Sequence, residues 1–304
     1  MPSRTLTFRG GARTAIGFVV AFALVLTGAM PVKRAVSDAS GPVTLAFRVS
    51  VFVVLAGIAL VALRREDVEI ADLGLSSRHL PPAVVAFGGV WVALNLLGVG
   101  AAAVTGNPWG LGLLRETTPV LVAGLPAPRV TTLLFFFLAV GMVEEFAMRG
   151  YFQTKVVALL GDDTRTRVAL GILTASLVFG LGHVPSALVA GASVRGTLSA
   201  VALSAASGVA FGVLYETTRN LYFVGFLHGL GDTWPLVVDW MDWSGSALGA
   251  FLFGIAVVYF GAALVYRYWA LDTDLTPAIR RRESSRSAAT GSAVPRETPK
   301  SESE

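Results

Sequence analysis

Six ionisable residues set in or beside apolar runs have the types and spacing that could do chemistry. Glu144, Glu145 and Arg149 follow an uncharged stretch, Val130 to Val143, that contains Leu-Leu-Phe-Phe-Phe-Leu. His183 closes Phe179-Gly180-Leu181-Gly182-His183, and His228 opens His228-Gly229-Leu230-Gly231-Asp232. Glu145 and Arg149 are four apart, so they share a helix face and can pair. That pairing leaves Glu144, rotated by about 100° on a helix of 3.6 residues per turn, pointing elsewhere as the unneutralised carboxylate. His228 and Asp232 repeat the four-residue spacing. Such groups at membrane depth are costly, and the least costly arrangement is one polar pocket holding water. Singly, each feature reads as a helix-to-helix clip. Together, on three separate apolar stretches, they read as a site that activates water or relays protons.

The elements that must position them are membrane helices. The chain has 304 residues, 54% hydrophobic and 14% charged, where soluble proteins carry about 25% charged residues. Several apolar runs, rather than one, place it among polytopic all-α membrane proteins. There is no cysteine, which excludes disulfides, thiolate catalysis and sulfur-held metals. The formal net charge of +4 is spread over loops and tails, so it carries topology and no nucleic-acid footprint.

In chain order, residues 1–13 form a basic N-terminus, and apolar spans are predicted at 14–32, 43–63 and 82–104. Arg48 near the start of the second span can snorkel to the interface. The connector 64–80 is polar, and His79 beside Arg78 reads as a solvated loop histidine. Residues 105–129, with Arg115, Glu116 and Arg129, suit a re-entrant or interfacial piece and complete an N-terminal region, 14–129. A core over 130–240 holds spans 130–152, 168–190, 196–215 and 221–238. Gly208 and Gly212 in it are spaced for close helix–helix approach. Residues 153–167, with Lys155, read as an amphipathic loop. A last span falls at 247–268 within 241–269, and 270–304 has a disordered composition. The basic residues place both termini in the cytoplasm, with about eight spans and the glutamate pair near the cytoplasmic side. The localisation expected is a multi-pass protein of a cell membrane, by its simple form a prokaryotic plasma membrane.

Three motifs in this order, Glu144-Glu145…Arg149, Phe179…His183 and His228…Asp232, resemble those of the CPBP intramembrane proteases (the Abi family), which include the CAAX prenyl endopeptidases. The segment from Gly208 through Tyr215 to Asn220 looks like that family's approach to its third motif. The resemblance covers about residues 130–240. It implies an intramembrane endopeptidase acting on a membrane-associated peptide or protein, with Glu144 as general base and Glu145 and Arg149 in support. His183 and His228 would hold the water, polarise the scissile carbonyl or bind a metal. Asp232 stands where the prenyl endopeptidases have asparagine. An ionised carboxylate cannot donate to an oxyanion, so Asp232 either orients His228 or carries a proton. Glu144, His183 and His228 also make a two-histidine, one-carboxylate set of the kind that holds a divalent ion, zinc by preference, and hydrolysis without a metal uses the same residues. Two other functions fit the same helices: a catalytically silent scaffold or bacteriocin self-immunity factor, and a proton-coupled transporter using Glu144, His183 and Asp232 as a relay.

Overall fold

A computed structural model describes residues 6–36, 41–106, 133–238, 240, 243–269 and 279–281. Nearly all of the expected re-entrant segment 105–129, Asp239 and Asp242 of the last outer loop, and most of the 270–304 tail lie outside the described residues. The architecture is an all-α membrane bundle. Helices α1 (Ala12–Ala35) and α2 (Gly41–Glu66) form an antiparallel hairpin. Two 3₁₀ turns, Ile70–Leu73 and Ser77–His79, lead into α3 (Leu80–Thr105). Residues 133–160 wind continuously as α4. Then come α5 (Arg165–Leu181), the short α6 (Val184–Val189), α7 (Val194–Thr218), α8 (Leu221–Thr233) and α9 (Gly245–Trp269). The helices start where the sequence offers caps: Thr164, Ser193 and Asn220 each accept a hydrogen bond from a first-turn backbone N–H, which satisfies one of the orphan donors of a helix start. A three-residue strand, Leu6–Phe8, pairs in parallel with Ile279–Arg281 from the tail.

Among the described residues six helices are long and apolar enough to cross a membrane: 12–35, 41–66, 70–105, 165–189, 194–218 and 245–268. They coincide with six of the eight expected spans. The other two expected spans, 130–152 and 221–238, carry five of the six ionisable site residues, all but His183, and each is irregular. Helix α4 alternates between wide and ordinary winding, π-helical over Phe135–Gly141 and Phe146–Gln153 and α-helical over Met142–Glu145 and Thr154–Leu160. Such π segments occur mostly at functional sites. Helix α8 stops after 13 residues, about 20 Å at 1.5 Å per residue against a hydrocarbon core of about 30 Å. Beyond it Trp234 adopts a left-handed backbone and Pro235 prevents continuation. The chain continues as a buried irregular stretch, with Leu236 and Val238 almost inaccessible. Its backbone is satisfied by α3: Trp91 Nε1 donates to Pro235 O at 2.9 Å and Val237 N–H donates to Asn95 Oδ1 at 2.6 Å. Irregular backbone at membrane depth persists only where protein groups satisfy it in this way.

One end of the bundle is closed by two polar clusters. Lys155 and Glu66 are both fully buried and pair at 2.7 Å. Lys155 Nζ also donates to Gly10 O at 2.5 Å, Gly10 N–H donates to Glu66 Oε2 at 2.5 Å, and the Thr14 hydroxyl donates to Glu66 Oε1. In the second cluster Asn220, wholly buried, donates to His79 O at 2.8 Å and to the Tyr266 hydroxyl at 2.5 Å. Tyr215 donates to Leu73 O. The structure therefore corrects two readings. His79 is 6% exposed, with Nδ1 at 3.1 Å from the Ser76 hydroxyl, because the connector folds back under the end of α7. Lys155 belongs to a helix, with its charge met by Glu66, which is 89 positions earlier in the sequence.

Candidate active site

The site is built where α4 crosses α8, and glycines set how closely the two approach. A side chain at Gly141 would run into Gly225 O and sit 3.0 Å from Gly229 N; one at Gly229 would meet Phe137 at 2.8 Å. No other residue fits at that separation without moving backbone. Gly208 and Gly212 do the same for α7, lying against Ser176 and against Ile172 and Gln153 respectively. Four helices, α4, α5, α7 and α8, are thus packed at close range.

At the α4–α8 crossing sits the imidazole of His228, 6% exposed. Its ring stacks on Phe211 at 4.8 Å between centroids and meets the edge of Phe179 at 6.2 Å. Nδ1 is 2.6 Å from Glu145 Oε1. Nε2 is 3.8 Å from Glu144 Oε2 and 3.6 Å from Asp232 Oδ2. Glu144 accordingly does not point away from Glu145's partner. The imidazole is long enough for adjacent glutamates to reach its two nitrogens.

Glu145, fully buried, lies 3.2 Å from Arg149 Nε through its second oxygen. That contact is an ion pair without hydrogen-bond alignment. Arg149 donates from Nη2 to Gly208 O at 3.3 Å and lies 4.5 Å above the Phe179 ring, with Phe211 at 5.9 Å. Aromatic faces attract a desolvated guanidinium. A chain therefore runs from Arg149 through Glu145 to His228 Nδ1, and the phenylalanine of the second motif lies under both ends of it. His183 is oriented separately: its Nδ1 is 3.0 Å from Phe179 O, one turn back.

Glu144 and His183 line one cavity of about 370 Å³. Its walls are mostly aromatic and aliphatic, including Phe22, Phe52, Phe135 and Phe179, with Lys33 and Arg48 among them. Glu144 keeps 19% of its side chain accessible and Asp232 31%. The cavity occupies the half of the bundle toward the α1–α2 hairpin, since it takes residues 22–33 from α1 and 47–55 from α2. This corrects the expectation that the glutamate pair lies toward the same side as the termini. Helix α4 does not end at the motif. It continues past the buried Lys155 to Leu160, which leaves Glu144 near the middle of the helix, with the cavity on the side away from Gly10 and Glu66.

The chemical repertoire is a partly accessible carboxylate beside two imidazoles whose Nδ1 atoms are occupied. A histidine held through Nδ1 by a carboxylate or a carbonyl has the second-sphere arrangement of a metal ligand. Among the described residues no three His, Asp or Glu side chains are placed closely enough to hold an ion. The residues that sequence reading missed are Lys33, Phe211 and, as a wall of the site, Arg48. Phe211 had a signal, lying in the segment just before the third motif. Lys33 and Arg48 had none, because only the packing of the hairpin onto α4 brings them to the cavity.

Residues 126–234 match the family model described as type II CAAX prenyl endopeptidase Rce1-like. The matched stretch includes α4 to α8 and holds all six of the site residues. No curated protein and no solved structure matches the chain.

Proposed function

We propose, from an Rce1-like segment folded around this cavity, that the protein is an intramembrane endopeptidase that hydrolyses a peptide bond of a membrane-associated substrate. The observation that carries the reading is the joint placement of Glu144: on the cavity wall with His183, and 3.8 Å from His228 Nε2. Glu144 takes a proton from a water held between its carboxylate and His183. The water oxygen attacks the scissile carbonyl, and the imidazolium form of His228 donates from Nε2 to the oxyanion. Collapse breaks the C–N bond, and Glu144 returns the proton to the leaving amine. Glu145 fixes His228 through Nδ1, and Arg149 holds Glu145. Asp232, a carboxylate where a donor would be expected, orients the same imidazole from its i+4 position. No step runs through a metal; zinc content of the purified protein, compared with His183→Ala, decides the cofactor. In this proposal the termini are cytoplasmic.

The test offers membrane-tethered peptides to the purified protein in detergent. Wild type is expected to cut them, and Glu144→Gln to lose about 10²–10⁴-fold in kcat, the usual contribution of a positioned base. Cleavage by Glu144→Gln at the wild-type rate would refute the mechanism.

A further inference from the structure

The cavity holds two cations that the hydrolytic scheme does not use. Lys33 comes from the last turn of α1 and Arg48 from the early part of α2, and both line the same cavity as Glu144 and His183. Among the described residues neither has an ion-pair or hydrogen-bond partner. Around them the wall is apolar: Met30, Phe47, Val51, Phe52, Phe135 and Phe136. Lys33 is half-buried and Arg48 exposed, so both are accessible to an opposite charge entering the cavity, and an ionisable group inside a membrane span is by default functional. Arg48 lies seven positions inside α2, and its side chain is exposed while also lining the cavity.

We infer that Lys33 and Arg48 select peptide substrates by a carboxylate, which docks between them while the scissile bond reaches Glu144. The inference rests on the endopeptidase reading for the position of the bond, and on the cavity alone for the charge preference. A carboxylate suits the pair because a guanidinium binds it with two parallel hydrogen bonds and an ammonium adds a compact point charge. The same cavity rejects a peptide with a lysine at that place, since like charges would then meet in a poorly screened space. A lipid phosphate could also meet such cations. The shared lining with Glu144 and His183 favours the peptide, because one bound molecule can then meet the cations and the proposed site residues together.

The experiment uses full-length protein in phosphatidylcholine vesicles and acyl-tethered fluorescent peptides, identical except for a C-terminal carboxylate or amide. A second pair carries internal Asp or Asn, so that the two sources of a carboxylate are told apart. Binding is measured on Glu144→Gln protein, where hydrolysis plays no part, and KM is measured on wild type. The acidic member of at least one pair is expected to bind about tenfold or more tightly. That ratio is expected to fall near one when Lys33→Gln and Arg48→Gln are added, and to survive in part with Arg48→Lys. Being a ratio within one preparation, it does not depend on the yield of folded protein. The inference is overturned if neither peptide binds, if both members of each pair bind alike, or if the ratio persists in the double variant. It is also overturned if the cations respond to added phosphatidylglycerol and not to the peptide's charge. Peptides that bind with the expected preference yet stay uncut would refute the endopeptidase and leave the charge selection standing.

Discussion

Glu144 and Glu145 touch the two nitrogens of one imidazole, and their surroundings give them opposite work. Glu145 has no accessible surface and is bound by His228 and Arg149 at once. Removing its charge leaves the Arg149 guanidinium buried without a counter-ion, and breaking a buried pair from one side costs about 3–5 kcal/mol. Glu144 has one long contact and faces the cavity, so its charge supports little of the fold. Glu145→Gln is therefore expected to lower thermal stability in detergent strongly, whereas Glu144→Gln is expected to keep stability within about 1 kcal/mol while losing turnover. Melting curves of the two variants, read beside their kcat values, check the division. Equal loss of stability in both would mean that the glutamates act as one structural unit. Arg149→Lys belongs to the same argument. It keeps a charge but loses the planar group lying over Phe179, so it is expected to be partly unfolded or slow rather than neutral.

Elements, more than single residues, set the distance between Glu144 and the His228 imidazole, and that distance depends on the α4–α8 crossing. Gly141→Ala would push against the Gly225 carbonyl and move Glu144 relative to His228. A displacement near 1 Å costs about 10²-fold in kcat. Gly231→Ala, on the same helix as His228 but facing open space, is expected to stay within about twofold of wild type. Steady-state rates on one tethered peptide distinguish the pair, and equal rates would show that the crossing tolerates expansion.

Here the limits of legibility have a physical cause. The three motifs, their order and the Gly208–Gly212 spacing were readable because local periodicity encodes which residues share a helix face. Six spans were readable because a long uncharged run has few other fates. The burial of Lys155 was not, since its counter-charge Glu66 is on another helix. His79 was misread for the same reason: its cover comes from Asn220 and the end of α7, far along the chain. The short α8 was hidden by an apolar sequence that continues through Leu236 to Val238 after the helix itself has stopped. A double variant, Lys155→Met with Glu66→Leu, is expected to be more stable than either single one, because each single change strands a buried charge. Thermal unfolding of the three proteins tests it, and additive losses would remove the pair from the account.

At the scale of the molecule the two ends of the bundle differ in charge, and that difference bears on which side of the membrane the cavity serves. The described basic residues Arg64, Arg65, Arg78, Arg165, Arg167 and Arg219 gather at the end closed by the Lys155–Glu66 cluster. In the reading proposed above, the positive-inside tendency puts that end in the cytoplasm. The cavity, taking Lys33 and Arg48, is in the other half, so its mouth is expected on the outer face, and substrates would be segments exposed there or entering from the outer leaflet. The absence of cysteine from the chain makes a direct measurement available. Arg34→Cys, in the last turn of α1, and Arg65→Cys, in the last turn of α2, are both exposed and stand at opposite ends. In right-side-out vesicles an impermeant maleimide is expected to label Arg34→Cys at once and Arg65→Cys only after permeabilisation. The reverse pattern would turn the molecule over and put the mouth in the cytoplasm. The internal geometry would be untouched, because the separation of the cavity from the Lys155–Glu66 cluster is a property of the bundle, and only the compartment that supplies the carboxylate-bearing peptide would change.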